Sequence, residues 1–415
     1  MRHLGIGLIC LAIIGLIVAG PAAAAEKTVT LGFTASQTGS LNVEAIRQIN
    51  GLNLWVEQVN QAGGIKLKDG TVVKLATKFY DDESNKDRVQ ELYTRLINND
   101  KADFLISPYS SPLADAAAVI AQQYKKIMIT TGAASDSTYK KGFTLVYQAY
   151  TPASRYLTGS IDLLQKLEPQ AKKVAVIYSN DKFSTDVVTA MKKYAESKGF
   201  QVPMFEGYDP ATTDFAPFIN KIPAGVDAVM GGGPFTDTTT LARQLFEKKV
   251  PAKMISLLVA PPEPKFAELG EACICVTGSS QWEPLCKYSP EAAKKEGVEW
   301  YGITIPEFIK AYEGKYKQEP SYHSAGGYAA GLLLQKAIET ADSIDTAKVA
   351  AAMDQEDMFT FYGRIKFNTT PKLHGLQEGH EMVYIQWQKG KDGKPEKQAV
   401  WPAVAATAEA QLCHR

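Results

Sequence analysis

Apolar residues recur along this chain in two alternating rhythms. Val29–Ala35 is a short apolar run that predicts a strand. Glu44–Gln61 then places Ile46, Ile49, Leu52, Trp55, Val56 and Val59 at the spacing of one helical face, and Gly63-Gly64 stops it. Val72–Tyr80 alternates as a strand and ends at Asp81-Asp82. Lys86–Asn99 returns to helical spacing through Val89, Leu92, Tyr93, Leu96 and Ile97. Phe104-Leu105-Ile106 predicts a buried strand, Pro112–Lys125 an Ala-rich helix and Ile127–Thr130 another strand. Such alternation implies βαβ units around a mostly parallel sheet covered on both faces.

The pattern then restarts. Helices are expected at Pro152–Leu167, Phe183–Lys198, Phe215–Ile222 and Thr236–Lys248. Strands are expected at Val174–Tyr178, Val202–Tyr208, Ala228–Met230 and Met254–Leu258. The chain therefore reads as two α/β units of similar layout. Trp282 to Trp300 is rich in Pro, Glu and Lys and reads as a long surface excursion, with Lys295–Glu299 as a solvated helix face. Helices follow at Ile305–Tyr316, Ser324–Thr340 and Thr346–Met353. The end is β-rich, with a strand at Met382–Gln388 and a solvated hairpin tip at Lys389–Lys397.

The first residues break both rhythms. Arg2 and His3 precede an apolar run from Leu4 to Gly20, then Pro21 and four alanines. A basic start, an apolar core and an A-x-A pattern predict a secretory leader over residues 1–25, cut between Ala25 and Glu26. The alternative is an uncleaved anchor, for which the run is short of the roughly 20 residues a spanning helix needs. Cys10 does not read as a lipidation site, because the apolar run continues beyond it.

Charge adds an exclusion. The chain of 415 residues holds 45 Lys+Arg against 45 Asp+Glu. Without Arg2 the exported chain would carry 44 against 45. No basic excess exists to release counterions from phosphates, which argues against a nucleic-acid partner. With 45% hydrophobic and 22% charged residues the composition is that of a globular protein. Export leaves Cys273, Cys275, Cys286 and Cys413. Four cysteines allow one bridge, with Cys275 to Cys286 as a candidate, although Cys273 and Cys275 share a face of an expected strand and suit core packing.

Candidate chemistry sits where the strands end, because ligands of open parallel sheets bind beyond the carboxyl ends. The first unit offers Ser36–Ser40, then Ser107-Pro108-Tyr109-Ser110-Ser111 leading into a helix, then Thr131-Gly132-Ala133-Ala134-Ser135. Hydroxyls and free N–H groups at a helix start suit a carboxylate, while capping alone is the structural alternative. The second unit offers Gly231-Gly232-Gly233-Pro234-Phe235, where glycines admit a ligand close to the backbone and Phe235 supplies an apolar wall. Tyr147 and Tyr150 lie where the first unit passes to the second, suited to closing over a ligand or to packing. No G-x-S-x-G, H-E-x-x-H or phosphate loop occurs, and His323, His374 and His380 lack metal-ligand spacing. No catalytic residue, metal or cofactor is expected.

Gln61-Ala62-Gly63-Gly64-Ile65, followed by Tyr80-Asp81-Asp82, is similar to the start of the branched-chain amino acid binding proteins of bacterial ABC transporters. The Ser110-Ser111 loop, the stretch Met128–Ser135 and the Gly231–Phe235 turn match as well, so the resemblance runs from about Val29 to the C-terminal strands. It implies a type I periplasmic binding protein fold. Two doubly wound lobes, 27–149 plus 279–361 and 150–278 plus 362–410, would join through crossings near Tyr150, Gly278 and Tyr362. It implies a periplasmic monomer that hands a small carboxylate to a permease. The ligand would meet Tyr109, Ser110, Ser111, Ala133, Ala134 and Ser135 from one lobe, Tyr150 at the crossing, and Pro234 and Phe235 from the other. The family also places an acid after the next strand to hold an α-ammonium. Here that loop reads Leu258-Val259-Ala260-Pro261-Pro262, and Glu263 is a poor substitute. An aromatic or aliphatic acid therefore stands beside an amino acid as candidate ligand. A receptor's sensing module and a serine hydrolase pairing Ser110 with His323 are the alternatives.

Overall fold

A computed structural model describes residues 25–413, so nearly all of the expected leader lies outside the described residues. The first half of the chain builds a six-stranded sheet. Its elements are β1 (Glu26–Ala35), α1 (Asn42–Gln61), β2 (Ile65–Lys66), β3 (Val72–Asp81), α2 (Lys86–Asn98), β4 (Phe104–Ile106), α3 (Ser111–Gln123), β5 (Met128–Thr130), α4 (Asp136–Tyr139) and β6 (Val146–Gln148). The strand order is β2-β3-β1-β4-β5-β6, parallel except for β2. The order reverses between β1 and β4, which opens a crevice beyond their carboxyl ends.

The alternation of side chains explains why this sheet is buried on both faces. Phe104, Ile106, Ile129 and Tyr147 join the core shared with α1, whereas Leu105, Met128 and Val146 join a second core under α2 and α3.

The second sheet follows a 3-10 turn at Ala153–Arg155. It comprises α5 (Thr158–Leu167), β7 (Lys173–Ser179), α6 (Lys182–Ser197), β8 (Gln201–Tyr208), α7 (Ala216–Ile219), β9 (Ala228–Gly232), α8 (Phe235–Glu247), β10 (Met254–Leu257), a second 3-10 stretch at Pro264–Cys273, and β11 (Val276–Ser280). The expected helix from Pro152 is thus divided in two. The chain then returns to the side of the first sheet through α9 (Pro290–Glu296), β12 (Glu299–Trp300), α10 (Ile305–Tyr316), α11 (Tyr322–Ala341), α12 (Thr346–Met353), β13 (Asp357–Thr360) and β14 (Gly363–Lys366), with β12, β13 and β14 pairing as a small sheet of their own. It finishes on the second sheet with β15 (Val383–Lys389) and β16 (Pro395–Trp401). That sheet has the order β16-β15-β11-β10-β9-β7-β8, with β15 antiparallel to both its neighbours, and it reverses between β7 and β9.

Helix α11 lies close against α1. A Cβ on Gly51 would strike the Ser324 carbonyl, and one on Gly327 would strike the Gln48 carbonyl. The three passages between the sheets are knitted together. Gln281 accepts from the Thr151 N–H, while His380 meets Thr151 Oγ1 at 2.6 Å and the Tyr362 carbonyl at 2.6 Å. Burial pushes the His380 pKa down to about 4.

Four expectations are corrected. Trp282 does not lie on a surface excursion: it is fully buried, packs on Phe308 and Phe361, and donates to the Phe361 carbonyl. Lys295–Glu299 is not one helix face, because α9 ends at Glu296 and Gly297 turns left-handed into β12. Cys275 bridges Cys413, not Cys286. Its φ of 73° sits just before β11, and Cys413 is brought alongside by its own N–H, which donates to the Lys253 carbonyl. Cys286 stays a thiol, its pKa pushed up to about 12 by burial. Cys273 ends a 3-10 stretch and does not lie on a strand.

A ligand cleft between the two sheets

Both crevices open into one cavity of about 270 Å³. Ser110 and Ser111 after β4, with Gly132 and Ala134 after β5, come from the first sheet, and Ser179 after β7, Pro234 after β9 and Val259 after β10 from the second. Tyr109, Tyr150, Tyr156, Phe183 and Tyr322 supply aromatic walls. The walls are held together across the gap. Glu44 Oε1 on α1 accepts from the Phe235 N–H at 2.9 Å, and Ser137 Oγ donates to Asp186 on α6 at 2.7 Å.

Ser110 stands at the head of α3 with a φ of 81°, a region that L residues rarely enter. Its N–H donates to the Gly132 carbonyl, while its Oγ is sealed from solvent without a partner. Ser111 acts differently. Its Oγ accepts from the N–H groups of Ala134 and Ser135, at 3.1 and 3.2 Å, and so ties the two loops together. Those two N–H groups are thereby occupied. Ala133 and Ser135 are buried but do not line the cavity, although Ser135 Oγ has no partner. Phe235 is also behind the wall, in the core, with Pro234 in front of it. Tyr147 is a packing residue, its hydroxyl donating to Asp354 at 2.9 Å.

His323 is a cavity residue that its sequence context did not mark. Arg47 pairs with Glu263 at 3.1 Å, and Glu263 meets His323 Nδ1 at 2.6 Å. Burial works to raise the Glu263 pKa, but the hydrogen bond and charge of His323, together with Arg47, hold it below its ordinary value. An ionised carboxylate only accepts, so Nδ1 carries the proton and Nε2 is left without a partner beside the cavity. Glu263 is therefore a fully buried anchor for His323.

The opposite wall is acidic. Asp181 caps α6, accepting from the Ser184 N–H at 2.9 Å, and burial raises its pKa. Asp237, in the first turn of α8, is raised to about 7 by burial and by the neighbouring Asp181 and Glu44. Burial raises Glu44 too, opposed by His323. Val259 lines the cavity in the loop where the resemblance expects an acid.

A largely apolar, ring-lined cavity at the switch points of both sheets is the place where a binding protein grips a solute between domains. The family model described as "Periplasmic binding protein" matches residues 28–393, and the chain belongs to that family. Its fold is that of the type I periplasmic binding proteins. The "Leucine-, isoleucine-, valine-, threonine-, and alanine-binding protein" of Pseudomonas aeruginosa is 23% identical over 88% of this chain and 91% of its own. The substrate binding protein LivJ from Streptococcus pneumoniae, solved with isoleucine, superposes with a TM-score of 0.71 at 20% identity, covering 91% of this chain and 100% of its own. A solute binding protein of an ABC transporter from Rhodopseudomonas palustris, solved with p-hydroxybenzoic acid, gives 0.75 at 21% identity, covering 93% and 98%. Among the described residues no helix is long and apolar enough to cross a membrane.

Proposed function

We propose that this chain captures a small carboxylate between its lobes and hands it to the permease of an ABC transporter, without chemistry on the ligand. The observation that carries the reading is Ser110 Oγ, sealed and unpartnered at the head of α3. The first N–H groups of a helix have no carbonyl within the helix to receive them, and the helix dipole favours an anion there. His323 Nε2 lies on the same cavity. The aromatic walls suit an aromatic or aliphatic body, in keeping with the ligands of both solved relatives. In this reading residues 1–25 are a cleaved leader and the mature chain is a periplasmic monomer. Residues 27–149 with 279–361, and 150–278 with 362–410, move as lobes about the three passages.

Replacing Ser110 and Ser135 together by Ala tests it. Two lost hydroxyls, one of them on the cavity, weaken binding of a carboxylate by roughly tenfold or more in calorimetry. Unchanged affinity for every bound carboxylate would overturn the assignment.

A further inference from the structure

The acidic wall holds three polar atoms that the protein itself leaves unused. Ser179 Oγ at the end of β7, Tyr208 Oη at the end of β8 and Asp237 Oδ2 in α8 are buried, and none has a hydrogen-bond partner. Their residues are 0%, 1% and 8% exposed. Two of these atoms and the Ser179 side chain crowd around Gly233. A Cβ built on Gly233 would lie 2.7 Å from Ser179 Cβ, 2.7 Å from Tyr208 Oη and 3.3 Å from Asp237 Oδ2. Glycine at 233 therefore lets Ser179, Tyr208 and Asp237 close in on the backbone, with Ser179 and Asp237 lining a recess of the cavity and the Tyr208 hydroxyl behind them.

The chemistry of the recess is one-sided. Asp237 makes no ion pair among the described residues, and the charged groups nearest to it, Asp181 and Glu44, are acids. Its nearest donor is the Tyr208 hydroxyl, which leaves the charge of a buried carboxylate uncompensated. On the second sheet no other cavity-lining loop supplies one, since Val259 is apolar and Asp181 is committed to capping α6.

We propose that this recess is a specificity pocket for a hydrogen-bond donor, a hydroxyl or an ammonium, that the ligand carries besides its carboxylate, with Asp237 as the residue that accepts it. The inference rests on the carboxylate reading above. Ser110 and Asp237 stand on opposite walls, so a ligand with both groups bridges the sheets. A ligand without the donor shuts Asp237 away unpaired. An unmet buried polar group discriminates far better than a missing methylene, and the preference is about tenfold or more.

Matched pairs on the mature chain test this by calorimetry: 4-hydroxybenzoate against benzoate, and leucine against 4-methylpentanoate. The expected result is that the donor-bearing member of one pair binds the wild type at least about tenfold tighter, and that Asp237→Ala collapses that ratio. The pair that shows the preference says whether the donor is a hydroxyl or an ammonium. Equal binding within both pairs overturns the proposal, as does a ratio that survives in both Asp237→Ala and Ser179→Ala. If Asp237→Ala binds neither member, the isosteric Asp237→Asn decides: a collapsed ratio supports the proposal and a retained one overturns it. If the wild type binds no member of either pair, the carboxylate reading falls first and takes this one with it.

Discussion

The wall built by the first sheet meets the cavity with Ser110 Oγ, the head of α3 and His323 Nε2. The wall built by the second meets it with Ser179, Asp181 and Asp237. Both walls obey the same topological rule, because each is made of loops beyond the carboxyl ends at a switch point. They differ in how their acids are answered. On the first wall Glu263 is held by Arg47 and His323, so its charge is compensated within the lobe. On the second wall the charged groups nearest Asp237 are the acids Asp181 and Glu44, and its pKa climbs to about 7. Topology thus places a site, while the local partners of each acid decide whether a wall is self-sufficient or needs a ligand.

The largest effect tests that self-sufficiency. Replacing Arg47 by Met removes the cation from a carboxylate that is wholly buried. Breaking one partner out of a buried ion pair destabilises by about 3 kcal/mol or more in chemical denaturation. The sign with pH follows from the depressed pKa of Glu263. Its contribution is present above the ordinary value of 4.5 and is lost as pH falls through the lower folded value, so the deficit of Arg47→Met narrows in acid. A deficit below about 1 kcal/mol at neutral pH would mean that the first wall is no better compensated than the second.

Ser110→Gly separates function from stability on the same wall. At φ 81° serine carries backbone strain that glycine does not. The variant gains about 1 kcal/mol in thermal unfolding and loses about tenfold in carboxylate affinity. Parallel changes, both up or both down, would show that the strain is not tied to binding.

Ser110 and Ser111 of the first wall and Pro234 of the second were legible in the chain, while Ser179, Asp181 and Asp237 were not. Small polar runs after buried strands pointed to Ser110 and Ser111, because a strand end and a helix start leave few other roles for clustered hydroxyls. Regular helices were read to the residue at Ile305–Tyr316 and Thr346–Met353, where nothing interrupts the spacing. Asp237 escaped notice inside a Thr-rich helix start. Its signal was periodic: Asp237, Leu241 and Leu245 share one face at four-residue spacing, and all three are buried. Glu44, Gln48 and Leu52 repeat the same pattern on α1. A charged residue in register with the apolar face is the mark to look for. The Cys275–Cys413 bridge had no such mark, because 138 residues separate its ends and only the folded sheet brings them together.

The smallest effect asks whether the two walls communicate. Glu44 belongs to the first wall by sequence, yet its carboxyl accepts the Phe235 N–H of the second and adds its charge to the field at Asp237. Glutamine at 44 keeps an acceptor for that N–H and removes the charge. Stability changes by less than about 1 kcal/mol, since the hydrogen bond survives. The titration of Asp237 moves instead. Its folded pKa is raised from 3.8 to about 7, so the closed form is favoured by protonation and loses stability as pH rises through that window. In Glu44→Gln the upper edge of the window shifts down, because one of the two neighbouring acids is gone. Carboxyl resonances followed by NMR across pH 4 to 8 read the shift directly, with the pH chosen to bracket about 7. An unmoved midpoint would mean that burial and Asp181 alone hold Asp237 up. The acids of the second wall would then be a property of that lobe, and closure would bring the walls together without joining their charges.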